Sequence, residues 1–149
     1  MRAVVQRVSC AAVMVDKETV GEIGNGLLIL LGITHDDDSS GADYLVDKIV
    51  NMRIFDDHEG KMNLSLVDVG GGLLVVSQFT LYGDTRGGRR PSFLAAAPGS
   101  EAVRLYEYFV AKAREIVEDV ATGRFGSMMD VELVNNGPVT IILNSEKTF

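Results

Sequence analysis

The chain has 149 residues, of which 46% are hydrophobic and 23% charged, a composition that fits one folded domain and excludes intrinsic disorder. The single cysteine, Cys10, excludes an intrachain disulfide framework and a Cys-rich zinc module. With 14 Lys and Arg residues against 21 Asp and Glu residues, the net charge is -7, which argues against a protein that follows a long phosphate backbone. There is no membrane-spanning run and no secretory signal, so we expect a single cytoplasmic domain over residues 1–149.

The first part of the chain predicts a β-hairpin followed by a buried strand. Ala3–Val8 and Ala11–Val15 are rich in β-branched residues, and Thr19–Ile23 alternates with a period of two after the polar turn Asp16–Glu18. Leu27–Ile33 is a continuous apolar run, which is typical of a strand covered on both faces.

Two helices are predicted from apolar residues at helical spacing. The first covers about Ser40–Met52, directly after Asp and Ser residues that suit a helix start. A strand at Leu73–Val76 follows. The second helix is expected to have Ser100 as its N-cap and an apolar stripe from Ala102 to Val120.

Two closing strands are predicted at Asp130–Val134 and Val139–Leu143, separated by Asn135–Pro138. This order of elements implies an α/β domain with mixed sheets and helices packed against them.

Polar residues directly after the strand Leu73–Val76 form the first candidate site. In an extended segment, the side chains of Gln78 and Thr80 share one face, where they could bind a polar substrate group. The alternative is a strand that simply leaves the core.

Two further segments carry candidate binding residues. Asn135–Thr140 contains Gly137 and Pro138, for which a plain turn is the default interpretation. The Gly-rich segment Thr85–Ser92 places Arg86, Arg89 and Arg90 within five residues. Such arginines bind phosphate through paired hydrogen bonds, although a solvated loop explains them equally well.

Together these segments resemble the D-aminoacyl-tRNA deacylase family. Ser77–Thr80 is similar to its SQxT motif, and Asn135–Thr140 matches its NxGPxT motif at every fixed position. The resemblance covers essentially the whole chain, including Met1–Val8, Lys61–Leu64 and Arg90–Phe93.

The resemblance implies an editing hydrolase that cleaves the ester between a D-amino acid, or glycine, and the 3′-terminal ribose of tRNA. It implies layered, barrel-like mixed β-sheets with two main helices on one side, in a homodimer with its active site at the subunit interface. A cis Gly137-Pro138 bond would enter the partner's site and reject L-residues, with Asn135 and Thr140 in the same motif. The implied catalytic pocket contains Ser77, Gln78, Phe79 and Thr80, and the implied adenosine pocket contains Phe125 and Met129.

Thr80 is a candidate nucleophile, yet neither histidine of the chain, His35 or His58, is beside it in the sequence. We therefore favour a water nucleophile, with backbone N–H groups near Phe79 and Thr80 binding the oxyanion and the ribose 2′-OH assisting. A nucleotide cofactor is not expected, because Gly70–Gly72 lacks the signature of a nucleotide-binding loop. A metal is not expected either, because the consecutive residues His35–Asp38 seldom converge on one ion and suit the start of a helix.

Two other functions remain open at this stage. The same scaffold could be a non-catalytic dimeric module that binds RNA ends, or an esterase for small molecules. The net charge of -7 limits an RNA partner to a small footprint at the 3′ end, with Arg86, Arg89 and Arg90 contacting a few phosphates. DNA and membranes are not expected as partners.

Overall fold

The computed structural model describes residues 1–149, which form eight strands and three helices. The strands are β1 (Arg2–Val15), β2 (Glu18–Ile23), β3 (Gly26–Gly32), β4 (Phe55–Asp56), β5 (Met62–Leu64), β6 (Gly72–Ser77), β7 (Val120–Thr122) and β8 (Asp130–Asn144). The helices are α1 (Ser39–Asn51), α2 (Leu66–Val69) and α3 (Gly99–Arg114). None of them is long and apolar enough to cross a membrane.

The long strand β1 organises the main sheet. Its first half pairs with β3, its second half pairs with β2, and it also pairs with β8, in each case antiparallel. β6 joins β3, and β7 joins β6, both in parallel. β2 comes close to β7, because a Cβ on Gly21 would lie 2.2 Å from the carbonyl oxygen of Thr122. The mixed sheet therefore nearly closes into a barrel, as predicted.

Two apolar cores cover the two faces of this sheet. The larger one has 24 buried residues and lies between the sheet and the helices α1 and α3, which confirms that both main helices pack on one side. The smaller one has 7 residues and lies inside the barrel. Leu27 and Ile29 belong to the first core and Leu28 to the second, so β3 is covered on both faces, as its apolar run predicts.

Local signals place the first hairpin and the first helix correctly. Asp16 and Lys17 have φ values of 50° and 66°, the left-handed conformation that a two-residue hairpin turn requires. Asp38 precedes α1, and its carboxylate accepts a hydrogen bond of 3.1 Å from the N–H of Gly41. This bond satisfies one of the free N–H groups at the helix start.

The prediction for α3 is wrong at both ends. Ser100 is not the N-cap, because the helix follows Pro98 and begins at Gly99 without a side-chain cap. The helix ends at Arg114, and Val120 begins β7, which pairs with β6. The apolar residues after Arg114 continue a helical spacing by chance, whereas the free edge of β6 needs a pairing partner.

The prediction of two closing strands with a turn between them is also wrong. β8 is a single strand that pairs with β1 along most of its length. The pairing is interrupted once: Gln6 pairs with Thr140 and Val8 with Asn135, so two residues along β1 correspond to five along β8. The extra residues leave the ladder as a bulge. We call residues Asn135–Thr140 the β8 bulge. The Gly137-Pro138 bond within it is cis.

Candidate functional site

A cavity of about 390 Å³ opens where β3 and β6 end and α3 begins. Most of the side chains around it are apolar. Its lining consists of Leu31, Ile33, Ser77, Gln78, Phe79, Phe93, Ala96, Ala97, Gly99, Ala102, Phe125 and Gly126. The cavity thus brings the polar side chains of Ser77 and Gln78, at the end of β6, together with mostly apolar walls.

The segment after β6 is a 3₁₀ turn, Phe79–Tyr82, rather than the extended chain that the sequence predicts. The N–H of Gln78 donates to the carbonyl of Leu31 at 2.8 Å, which ties the start of the turn to β3. The turn brings the predicted pair together by another route, since the side-chain amide of Gln78 donates to Oγ1 of Thr80. These two side chains therefore meet because the chain forms a 3₁₀ turn, and not because they lie on one face of an extended strand.

The four residues of this motif have different surroundings. Ser77, Gln78 and Phe79 line the cavity, whereas Thr80 is exposed and lies outside the lining. Phe79 is 57% exposed, and its ring meets that of Phe93 edge-to-face, with ring centroids 5.2 Å apart. These two rings form an apolar wall at the mouth of the cavity.

Phe125 and Gly126 line the cavity as well. The ring of Phe125 lies against Tyr106, with centroids 5.6 Å apart, and the Tyr106 hydroxyl donates to the carbonyl of Val75 at 2.7 Å. Burial raises the pKa of Tyr106 to about 12, so the hydroxyl remains a neutral donor at physiological pH. Met129, in contrast, lies outside the lining and packs against the core inside the barrel.

The cavity lining contains no Asp, Glu, His or Lys residue. His35 is exposed and its Nε2 bonds to the carbonyl of Leu94 at 2.8 Å, and His58 lies between β4 and β5. No side chain in the lining can therefore act as a general base with a pKa near neutrality. Nor does any group of three or more His, Cys, Asp or Glu residues come together to hold a metal ion.

The predicted arginine loop is a small hairpin closed by Asp84 and Ser92, whose backbones exchange hydrogen bonds of 2.8 and 2.9 Å. Arg86 is paired with Asp84 through Nε at 2.9 Å and Nη2 at 2.7 Å. This guanidinium holds the pKa of the Asp84 carboxyl well below its usual range. Arg86 is therefore occupied, and only Arg89 and Arg90 of the predicted trio are exposed and free of ion pairs.

The side chain of Asn135 closes the β8 bulge. Its Oδ1 accepts from the N–H of Val139 at 2.9 Å, and its Nδ2 lies 3.1 Å from Oε1 of Gln6 and 3.4 Å from Oγ1 of Thr140. Gly137 and Pro138, between these partners, are exposed. Asn135 and Thr140 thus fix the shape of the bulge, while Gly137 and Pro138 form its outer surface.

Arg7 also holds the β8 bulge in place, from the buried side, and it is not among the site residues that the sequence predicts. This residue is buried, and its Nε donates to the carbonyl of Asn136 at 2.8 Å. Its Nη1 donates to the carbonyl of Ile54 at 2.8 Å and lies 3.3 Å from Oδ1 of Asp56. A signal exists in the sequence, because Arg7 occupies an inward position in the alternation that includes Ala3 and Val5.

The bulge and the cavity lie apart within one chain. No residue of the bulge lines the cavity that contains Ser77 and Gln78. Asn136 instead lines a separate groove together with Arg7 and Gly70–Gly72. The two sequence motifs therefore form two separate surfaces of the chain.

Comparisons with known proteins agree with the sequence motifs. A family model described as D-Tyr-tRNA(Tyr) deacylase matches residues 4–144. The D-aminoacyl-tRNA deacylase of Clostridioides difficile strain 630 is 62% identical over 149 residues, which is 100% of both chains. A protein of Bacillus subtilis strain 168 named inactive D-aminoacyl-tRNA deacylase is 60% identical over 131 residues, covering 88% of this chain and 99% of its own.

A solved structure has the same fold. The chain called c-Myc DNA Unwinding Element Binding Protein superposes with a TM-score of 0.92 at 40% identity, covering 97% of this chain and 98% of the other. The family match extends over nearly the whole chain, and the relative from Clostridioides difficile aligns over its full length. The chain therefore belongs to the D-Tyr-tRNA(Tyr) deacylase family, a family of hydrolases, as its two motifs predict.

Proposed function

We propose that this protein hydrolyses the ester between a D-amino acid, or glycine, and the 3′-terminal ribose of tRNA, and that it spares L-aminoacyl-tRNA. The observation that carries the proposal is the cavity itself, in which Ser77, Gln78 and Phe79 present polar and backbone groups between apolar walls. An aminoacyl ester on a terminal adenosine combines the same features, a polar reacting centre and flat or apolar groups on both sides. We place this activity in the cytoplasm, where aminoacyl-tRNA is used.

Chiral selection is assigned to the backbone at Gly137 and Pro138. Inverting an α-carbon exchanges its hydrogen and its side chain, so a fixed obstacle at one position rejects L-residues without reading the side chain. The β8 bulge suits this role because Asn135 and Arg7 hold it by hydrogen bonds from two directions. Glycine lacks a side chain at either position and is not rejected by such an obstacle.

A second copy of the chain would bring the β8 bulge to the cavity. Two features of one chain support a homodimer with composite sites. The bulge is exposed and remote from the chain's own cavity, and the apolar side chains Val134 and Ile142, on either side of it in β8, are 53% and 57% exposed. Burial of this apolar surface against a partner would favour association.

For the chemical step we propose attack by water. Thr80 lies outside the cavity lining, and no side chain in the lining can serve as its base. The first N–H groups of a helical turn have no acceptor within the turn, so those of Phe79 and Thr80 are suited to bind the developing oxyanion. The 2′-OH of the substrate ribose would assist the transfer of a proton.

Phe125 is proposed to contact the terminal adenosine, because its ring lines the cavity. Met129 is assigned an indirect part in this pocket, since its Sδ accepts a hydrogen bond of 3.4 Å from the N–H of Arg124 and so supports the turn before Phe125. No metal or cofactor enters the proposed reaction.

A second candidate is a non-catalytic dimeric module that binds RNA ends. The specific reason to keep it is the relative from Bacillus subtilis, which is named inactive although it is 60% identical. Such a module would retain the cavity and the bulge but would release no amino acid from tRNA.

Deacylation assays with matched tyrosyl-tRNA substrates test the proposal. We expect release of tyrosine from D-tyrosyl-tRNA, release of glycine from glycyl-tRNA, and no release from L-tyrosyl-tRNA under the same conditions. Equal rates with D- and L-tyrosyl-tRNA would contradict chiral selection, and no release from any of the three would favour the binding module. Turnover of simple aminoacyl esters that carry neither tRNA nor its terminal adenosine would identify a small-molecule esterase instead.

Because water is the proposed nucleophile, we expect the variant Thr80→Ala to retain kcat for D-tyrosyl-tRNA within about tenfold of the unmodified protein. Loss of a true nucleophile would instead lower kcat roughly 10⁶-fold. The remaining loss comes from Gln78, whose amide no longer has the Thr80 hydroxyl as its acceptor. Thr80→Ser keeps that acceptor and serves as the matched control. Complete loss of activity in the alanine variant, with binding intact and activity restored by serine, would identify Thr80 as the nucleophile.

A further inference from the structure

A second groove adjoins the candidate cavity at Phe125, which lines both. It has a volume of about 330 Å³ and runs between the C-terminal half of α3 and the segment that joins β7 to β8. We call it the outer groove. Its lining consists of Tyr106, Glu107, Val110, Ala111, Arg114, Thr122, Gly123, Arg124 and Phe125.

Phe125 is a wall common to both spaces. It lines the candidate cavity together with Gly126, and it lines the outer groove together with Arg124. The Phe125 ring is supported by Tyr106, whose hydroxyl is bonded to the carbonyl of Val75. A polymer whose end occupies the cavity and whose chain leaves over Phe125 therefore enters the outer groove directly.

The outer groove contains two free guanidinium groups in an otherwise acidic molecule. Arg114 and Arg124 are both exposed, and neither takes part in an ion pair. Glu107 is the only carboxylate in the lining. The local charge is positive, although the chain as a whole carries -7.

We propose that the outer groove binds phosphates of the single-stranded RNA that precedes the esterified ribose, through Arg114 and Arg124. Arginine suits this ligand because its planar fork forms paired hydrogen bonds with phosphate oxygens. The inference rests on the proposed function, which places the 3′ end of an aminoacyl-tRNA in the cavity. It assigns the phosphates to Arg114 and Arg124 rather than to Arg89 and Arg90 of the predicted arginine loop.

Binding of a fluorescent single-stranded RNA ending in CCA tests the inference without hydrolysis. For the double variant Arg114→Gln/Arg124→Gln we expect about tenfold weaker binding at physiological salt, and a plot of log K against log salt that is shallower by roughly 0.7 for each lost contact. Arg53→Gln, a change at an exposed arginine beyond the end of α1, is the matched control and should alter neither quantity.

Two deacylation substrates then separate RNA binding from damage to the cavity. The double variant should show a raised KM for D-tyrosyl-tRNA, with unchanged kcat/KM for D-tyrosyl-adenosine, which is too short to reach the outer groove. An equal loss with both substrates would overturn the inference, because Arg114 and Arg124 would then only support Phe125.

The arginine loop provides the opposing variant, Arg89→Gln/Arg90→Gln. The inference is overturned if this variant lowers the salt dependence of RNA binding while Arg114→Gln/Arg124→Gln does not. Absence of hydrolysis by the unmodified protein would contradict the proposed function alone, since the RNA-binding comparison between the two double variants still decides which surface takes the phosphates.

Discussion

Replacing Arg7 with methionine is expected to lower kcat/KM for D-tyrosyl-tRNA by about a hundredfold, the loss that follows from moving a substrate-positioning group by about 1 Å. The Arg7 guanidinium donates to the carbonyls of Asn136 and Ile54, both at 2.8 Å. Methionine fills similar space but donates no hydrogen bond. The β8 bulge would lose the hydrogen bond to the carbonyl of Asn136, and Gly137 and Pro138 would no longer be held in one position.

Arg7→Met should also lower the free energy of unfolding. A buried carbonyl that loses its donor costs about 1–3 kcal/mol, so for the two carbonyls that Arg7 bonds we expect a total loss of about 2–6 kcal/mol. Because one of the two carbonyls belongs to Ile54, before β4, the loss concerns the fold as well as the bulge. Urea unfolding measures the loss in free energy of unfolding. The deacylation assay is run well below the melting temperature of the variant, so that lower activity is not caused by unfolding.

Two further variants control the experiment. Arg7→Lys keeps the charge but has a single nitrogen in place of the fork, so we expect activity between those of Arg7→Met and the unmodified protein. Arg53→Met applies the same chemical change at an exposed arginine and should alter neither activity nor stability. Full activity of a folded Arg7→Met protein would show that the bulge keeps its position without this residue.

Local patterns in the sequence predict much of the fold, because the elements concerned are specified by their own residues. The hairpin at Asp16 and Lys17, the strand β3 and the helix α1 lie within a few residues of their predicted bounds. In each case a strong pattern of apolar residues is bounded by a turn or by a capping residue such as Asp38. The small hairpin of β4 and β5 lacks such a pattern, since β4 has only two residues.

Elements fixed by partners distant in sequence are the ones that prediction misplaces. β7 exists because it pairs with β6, and a Val-containing segment at helical spacing carries no sign of that pairing. β8 remains one strand because β1 is long enough to pair with it on both sides of the bulge. The sequence around Gly137 and Pro138 indicates a break in the strand but cannot distinguish a turn, which reverses the chain, from a bulge, which does not.

The candidate site shows the same division. The motif Ser77–Thr80 is identified from the sequence, but the 3₁₀ turn that joins Gln78 to Thr80 depends on the bond between the Gln78 N–H and the carbonyl of Leu31 in β3. The composition of Thr85–Ser92 likewise indicates the arginine loop. The ion pair between Arg86 and Asp84 could not be predicted, because it depends on how the loop folds. Arg7 is the clearest omission, because all its partners are distant in the sequence.

Gly26→Ala is expected to lower the free energy of unfolding strongly, since it adds a methyl group where two strands approach closely. A Cβ on Gly26 would lie 1.9 Å from the carbonyl oxygen of Gly72, its partner in the parallel pairing of β3 with β6. The contact is with backbone, which cannot move aside as the end of a side chain can. Inserting a methyl group into packed structure typically costs about 1–3 kcal/mol, and we expect this backbone clash to reach or exceed the upper end.

The consequence extends to the candidate site, because β6 ends at Ser77 and is followed directly by Gln78, whose N–H bonds to β3. Moving β6 away from β3 would therefore displace the cavity wall even in molecules that remain folded. Gly24→Ala is the matched control, as a Cβ there meets nothing within 4 Å. We expect Gly24→Ala to retain the urea midpoint of unfolding and the activity of the unmodified protein. We expect Gly26→Ala to have a lower urea midpoint and a lower activity. An unchanged midpoint in Gly26→Ala would mean that β3 and β6 are farther apart than the close approach of Gly26 and Gly72 indicates.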